Sequence, residues 1–293
     1  MNLRGDPILI RPCQTMEEFS ACVQLQIDVW GYGDRDVIPR RVFIVSHKIG
    51  GQVIGAFDTA RPGVSPDGDA YCLVGFAMAL PGISGGRPYL HSHMLAVDPA
   101  YRNLGIGRRL KLFQREEALA RGIARMEWTF DPLEIKNCFL NLVKLGAIVR
   151  SYAPNFYGVS SSRLHGQVPT DRLCAEWWLD SDWVCAALGG HPVAVSSVEQ
   201  EISVPHQIAH WRHSPEDQDR VLDIQTRNRE HFQQAFAQKL AVVGFRIDAE
   251  GNGIFQLGRW QEPGFDSATN PRQEIREPIS SSHSLQPESG RCS

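Results

Sequence analysis

The chain has 293 residues, 42% of them hydrophobic and 22% charged, with a net charge of -3 and a pI near 6.4. It is long enough for one large domain with appendages or two small ones, and its charge excludes a bulk electrostatic bias toward nucleic acid or an anionic membrane. No run approaches the roughly 18 to 20 apolar residues of a membrane span, the first residues lack the apolar core of a signal peptide, and the cysteines are scattered without a C-x-x-C pair. A cytoplasmic protein with neither a disulfide framework nor a zinc ribbon is therefore expected.

Taken in order, Ile8 to Arg11 reads as a strand. Thr15 and Glu18 have capping-box spacing ahead of a helix that carries Phe19, Val23, Ile27 and Trp30, with Gly31 to stop it. A loop follows from Gly31 to Pro39, then Val42 to Ile49, whose type the pattern leaves open. Gln52 to Phe57 and Tyr71 to Leu80 read as an antiparallel pair around a turn cluster containing Pro62, Gly63, Pro66, Asp67 and Gly68. Tyr89 to Val97 is the next strand. A helix from about Gly105 to Arg121 should bury Ile106, Leu110, Phe113 and Ala120, and Ala124 to Phe130 completes a right-handed crossover between two parallel strands.

Asp131, Pro132 and Glu134 form a second capping signal for a helix ending at Gly146, followed by a strand from Ala147 to Ser151 and a loop from Pro154 to Pro169. Beyond about residue 190 the pattern changes to a long polar helix from Pro215 to about Lys239. A hairpin then pairs Ala241 to Ile247 with Ile254 to Trp260. The serine- and proline-rich residues 261–293 are expected to be disordered.

The chemistry concentrates between Tyr89 and Gly122. A glycine-rich loop between a strand and a helix is a phosphate-binding arrangement, because the first amides of the helix lack intrahelical partners and the peptide dipoles place partial positive charge there. His91 and His93, two apart on the preceding strand, should point to one face and offer an acid/base pair. Such a pair can also chelate a metal, but no further ligand is spaced to join it, so no metal site is expected.

Arg102, Gly105 and Gly107, preceded by Leu95-Ala-Val97-Asp98-Pro99-Ala-Tyr101 and followed by Lys144-Leu145-Gly146, resemble the acyl-CoA motif of the GCN5-related N-acetyltransferases (GNAT). The resemblance covers about residues 8–157. It implies an α/β (α+β) fold with a mixed, mostly antiparallel sheet, splayed parallel fourth and fifth strands and helices on both faces, to which the residues after 190 add a C-terminal helix-hairpin extension. The implied division is an acyltransferase domain over residues 1–190, an extension over 191–260 and a tail over 261–293.

By the same resemblance, the cofactor is acetyl-CoA or another acyl-CoA. It would be held by Arg102, Asn103, Leu104, Gly105, Ile106, Gly107 and Arg108, with Leu95 and Val97 beside the pantetheine and Asn137 as a further contact. The His-x-His strand is similar to that of arylalkylamine N-acetyltransferase, which implies proton removal by His91 and His93. Trp30, Tyr32, Trp128 and Tyr157 are candidates for an acceptor pocket; core packing explains the first three equally well, and a structural role is the first reading of Tyr157. Asp131 reads first as a helix cap.

Leu142 stands where the family often has a tyrosine as general acid, and Tyr157 or Tyr152 is the alternative source of that proton. The activity implied is transfer of an acyl group from CoA to a small amine or amino acid through a ternary complex. A succinyl-CoA-dependent amino-acid N-succinyltransferase and a non-catalytic CoA-binding module are the competing readings. The extension is left with three uses: completing the sheet, covering the acceptor site, or making a homodimer contact.

Overall fold

The computed structural model describes residues 6–33, 36–61, 69–158, 168–191 and 197–262. The turn cluster at 62–68, the serine run after Tyr157 and all but the first two residues of the tail lie outside them. The described strands are β1 (Ile8–Pro12), β2 (Gln52–Asp58), β3 (Leu73–Ser84), β4 (Arg87–Val97), β5 (Arg125–Phe130), β6 (Ile148–Ala153), β7 (Arg172–Trp178), β8 (Gln200–Val204), β9 (Leu240–Ile247) and β10 (Gly253–Arg259). They form one sheet in the order β1-β2-β3-β4-β5-β7-β6-β9-β10-β8. All neighbouring pairs are antiparallel except β4 and β5.

Side-chain alternation divides the N-terminal half of this sheet into two cores. Val53 and Phe57 of β2 and Phe76 and Met78 of β3 face α1 (Met16–Trp30) and α2 (Arg40–Lys48), whereas Ile54, Ala56, Val74 and Ala77 face α3 (Ile106–Ala120). Phe43, Phe57 and Phe76 are fully buried, and each contributes about 1.5–3 kcal/mol by leaving water. The segment whose type the pattern left open is thus the helix α2.

Helix α1 begins with the capping box expected of Thr15 and Glu18 and ends on Gly31 at φ 64°. Its buried side is Phe19, Cys22, Leu25 and Gln26, rotated from the stripe of Phe19, Val23, Ile27 and Trp30. Gln26 explains the rotation. Its side-chain amide donates to the Ile38 carbonyl at 2.8 Å and accepts from the Ile38 N–H at 2.9 Å, so a buried polar residue pins the loop after the helix. In α3 the buried residues are Ile106, Leu110, Lys111, Gln114 and Ala118, and Ala120 is exposed.

The helix expected from Asp131 to Leu145 starts later and is broken. Glu134 caps α4 (Ile135–Phe139), which continues as a π turn over Leu140–Lys144, a local widening common at functional sites. Asp131 accepts from the Leu133 N–H at 2.8 Å in a tight turn of its own. Several elements between residues 172 and 211 go beyond those expected from the sequence, among them β7, which lies between β5 and β6 and is mostly buried, and α5 (Asp182–Leu188), capped by Ser181.

The residues after 190 extend the same sheet. β9 pairs with β6, and α7 (Gln218–Ala237) lays Phe232 and Ala235 into the core shared by β5, β6, β7, β9 and β10. α6 (Ile208–Trp211) ends on Arg212.

Candidate active site

The parallel strands β4 and β5 are ladder partners only at Leu90 with Met126 and His91 with Glu127. Beyond those pairs they separate, so the β4 edge from Ser92 to Val97 has no ladder partner on β5. A gap opened inside a sheet leaves main-chain groups free to bond a ligand.

β4 itself is irregular there. Its pairing with β3 runs Met78 with Met94 and then Ala79 with Ser92, so His93 is an extra residue, a β-bulge. The consequence is visible in the side chains. Ser92 and Leu95, three apart, both face α3, through the bonds of Ser92 to Lys111 and Gln114 and the contact of Leu95 with Gly107. The even alternation expected to put His91 and His93 on one face is therefore interrupted at His93. Their ring centroids lie 6.2 Å apart at 39°.

At one end of the gap stands the N-terminus of α3. Gly105, at φ 75°, caps it without a side-chain bond, and Asn103 at φ 64° shapes the loop before it. The N–H groups of Ile106, Gly107 and Arg108 have no intrahelical acceptor, and the first turn carries no acidic residue. A side chain at Gly105 would be strained by its backbone alone. Leu104 is exposed, and the Arg102 guanidinium donates to the Val97 carbonyl at 3.4 Å. Arg108 donates to the Leu188 carbonyl, and Arg109 pairs with Asp6 at 2.8 Å.

At the other end lies a cavity of about 490 Å³. Ser92, His93, Met94 and Leu95 line it from β4, Trp128 to Asp131 from β5, and Trp30, Tyr32, Asp36 and Ile38 from α1 and its loop. Glu134, Asn137, Leu140 and Asn141 close it from α4 and the π turn, with Tyr157, Arg172 and Arg212. Trp30 and Tyr32 stack at 5.4 Å, and the Tyr157 hydroxyl lies 2.9 Å from the Thr129 hydroxyl. Trp128 meets Trp177 edge-on at 5.8 Å. Asn137 accepts from the Asn141 amide at 3.3 Å.

The cavity thus gathers His93, Leu95, Asn137, Trp30, Tyr32, Trp128 and Tyr157. His91, Val97 and the 102–108 loop do not line it. Leu95 joins the two ends, touching Gly107 at 3.5 Å from the place of a Cβ.

Burial lowers the pKa of both histidines. His91 falls to about 4, chiefly through loss of water, with the positive charges of His93 and Lys111 adding to it, and His93 moves the same way through burial. Both are neutral at pH 7. Tyr152 is committed elsewhere, donating to Asp171 at 2.7 Å beside Arg229, so of the two alternative tyrosines only Tyr157 reaches the cavity. Leu142 is buried in the core.

Four further groups shape the cavity. Asp131 is more than the expected cap. It bonds Arg212 at 2.7 Å with Arg172 at 3.9 Å, and although burial pushes its pKa up, the two guanidinium groups and the Leu133 amide hold it below the usual carboxylate value. Arg212 belongs to the extension, so that segment supplies a wall of the cavity as well as completing the sheet.

Lys111 lies on the buried side of α3. Its Nζ donates to the Ser92 hydroxyl at 2.7 Å and stands 3.7 Å over the Trp128 ring, and among the described residues no carboxylate reaches it. Burial pushes its ammonium well below the ordinary lysine range.

Residues 33–138 match the family model described as Acetyltransferase (GNAT) family. No curated protein sequence matches the chain. Among solved structures, a chain of the NatC complex bound to a Gag peptide and CoA is similar at 15% identity and a TM-score of 0.46, over 59% of this chain and 98% of that one. The ribosomal-protein-S18-alanine N-acetyltransferase from Escherichia coli is similar at 14% and 0.44, over 65% and 98%. NAA60 of Arabidopsis thaliana, in complex with a bisubstrate analogue, is similar at 16% and 0.46, over 58% and 97%. The matched residues 33–138 contain the parted β4 and β5 and the glycine-capped α3 between them, and over that stretch the chain is similar to the acetyltransferase (GNAT) family.

Proposed function

We propose that this protein is an N-acyltransferase that moves an acyl group, most simply acetyl, from CoA to a small amine or amino acid held in the cavity. The observation that carries the reading is the opening between β4 and β5, with an anion-binding helix start at one end and a polar and aromatic cavity at the other. The residues fit a CoA thioester. The free amides of Ile106 to Arg108 suit its pyrophosphate, and the unpaired β4 edge at Leu95 and Val97 suits the amides of its pantetheine arm. When bound, it supplies an activated carbonyl carbon.

This chain's own residues would then act as follows. A main-chain N–H on the open β4 edge beside the bulge polarises the acyl oxygen, a contribution worth on the order of 3 kcal/mol per donor in other enzymes. An alkylamine is an ammonium ion at pH 7 and must lose a proton before it attacks. His93, neutral and on the cavity wall, accepts that proton, and His91 packs behind it. This is the role that the resemblance to arylalkylamine N-acetyltransferase gives the pair. The Tyr157 hydroxyl is the cavity donor available to the departing thiolate.

Trp30 and Tyr32 offer an aromatic wall, Asp36 and Glu134 are acidic, and Arg172 and Arg212 are basic. A cavity with both signs suits an amine that also carries a carboxylate. The test is CoA thiol release with acetyl-, propionyl- and succinyl-CoA crossed against amines and D- and L-amino acids. Release that requires both an acyl donor and an amine is expected. Binding of a CoA ester without release on any amine would leave a binding module instead.

A further inference from the structure

Lys111 sits where a lysine is costly. It is the only buried one of the five lysines in the chain, since Lys48, Lys136, Lys144 and Lys239 are all exposed. An apolar residue would satisfy the buried side of α3 at no electrostatic cost. The lysine reaches the cavity where the parallel ladder has ended, between Ser92 of β4 and Trp128 of β5.

Two interactions hold its nitrogen. It donates to Ser92, whose hydroxyl in turn donates to the Gln114 carbonyl oxygen at 3.0 Å, and it stands over the Trp128 ring. The ring favours the ammonium by at most about 2 kcal/mol, while full burial without a carboxylate opposes the charge by more than that. Nothing in this arrangement uses the amine's lone pair, and His93 and Leu95 lie on the same cavity wall.

We propose that Lys111 is itself an acyl acceptor, taking the acyl group from the thioester when no amine substrate occupies the cavity. This rests on the acyltransferase reading above. In the step, an Nζ–C bond forms and the C–S bond breaks. Nζ gives up one proton, His93 accepts it, and the sulfur leaves as thiolate and ends as thiol. The sum is amine plus thioester giving amide plus thiol, with no oxidant or reductant. The amide replaces the charge over Trp128 and fills part of the cavity.

The test uses the full chain incubated with acetyl-CoA and no amine acceptor. Intact mass, peptide mapping and thiol release are followed, with calorimetric binding of acetyl-CoA in parallel. Slow chemical acylation falls on the four exposed lysines and is separated by the mapping.

The expected result is the mass gain of a single acetyl group per chain, mapped to Lys111, with an equal amount of thiol released. Lys111→Arg should bind acetyl-CoA and show no such gain. A chain that binds acetyl-CoA and acylates an amine while its Lys111 peptide stays unmodified, or is modified no faster than the exposed lysines, overturns the proposal and leaves the acyltransferase reading. A chain that binds no CoA ester overturns both. The wild-type measurement does not depend on the variant's folding.

Discussion

His91 offers a quantitative test of how the bulged strand is buried. In an unfolded chain its imidazole titrates near 6.5, and in the folded protein near 4, mainly because the ring has lost its water. Between those values the unfolded state binds a proton at this site and the folded state does not, so stability falls as the pH falls. At about 1.36 kcal/mol per pH unit, the gap corresponds to roughly 3 kcal/mol of stability, fully present above about pH 6.5 and fully lost below about pH 4. Other groups titrate in the same range, His93 with the same sign and the raised carboxyl of Glu127 with the opposite one. Comparison with His91→Phe, which keeps the ring and removes the titration, isolates the effect. Urea unfolding of both proteins from about pH 7 to pH 4 should show the wild type losing roughly 3 kcal/mol relative to the variant. Parallel curves would refute the burial argument, and a wild type that gains stability on acidification would reverse it.

Asp131→Ala leaves Arg172 and Arg212 buried without their shared carboxylate and should cost about 3–5 kcal/mol in urea unfolding. An Asp131→Ala protein as stable as the wild type would remove that cluster from the account. Gly105→Ala places a side chain at φ 75° and should cost about 1–2 kcal/mol and weaken binding of a CoA ester, read by calorimetry. His93→Ala should lower kcat by 10²–10⁴ with little change in acetyl-CoA affinity, whereas an equal loss of both would make the histidine a binding residue.

The local devices of this fold are readable in the chain because each is a short-range chemical requirement. Thr15 and Glu18 cap α1 as their spacing demands, and Gly105 lies in the left-handed region between a strand and a helix. The crossover from β4 through α3 to β5 follows from element order alone, and the family resemblance gives the site its meaning. What escaped the reading depends on long-range packing or on broken periodicity. The bulge at His93 adds a residue without changing composition, so strict alternation misplaces the histidines relative to each other. Lys111 and Gln114 lie outside the apolar stripe of Ile106, Leu110, Phe113 and Ala120, yet the buried network with Ser92 draws them inward. Asp131, Arg172 and Arg212 are far apart in sequence and meet only through the tertiary fold. β7 lies inside the sheet, mostly buried, so its Arg172–Trp178 sequence shows no clean apolar-polar alternation.

The central claim is that the gap between β4 and β5 holds a CoA thioester whose acyl group passes to an amine in the adjoining cavity. Titration of the full chain with acetyl-CoA, followed by thiol release on addition of amines, tests it most directly. Saturable binding weakened by Gly105→Ala, with release that needs an amine and is lost in His93→Ala, is the predicted result. A chain that neither binds acetyl-, propionyl- or succinyl-CoA nor releases thiol from any of them would contradict it.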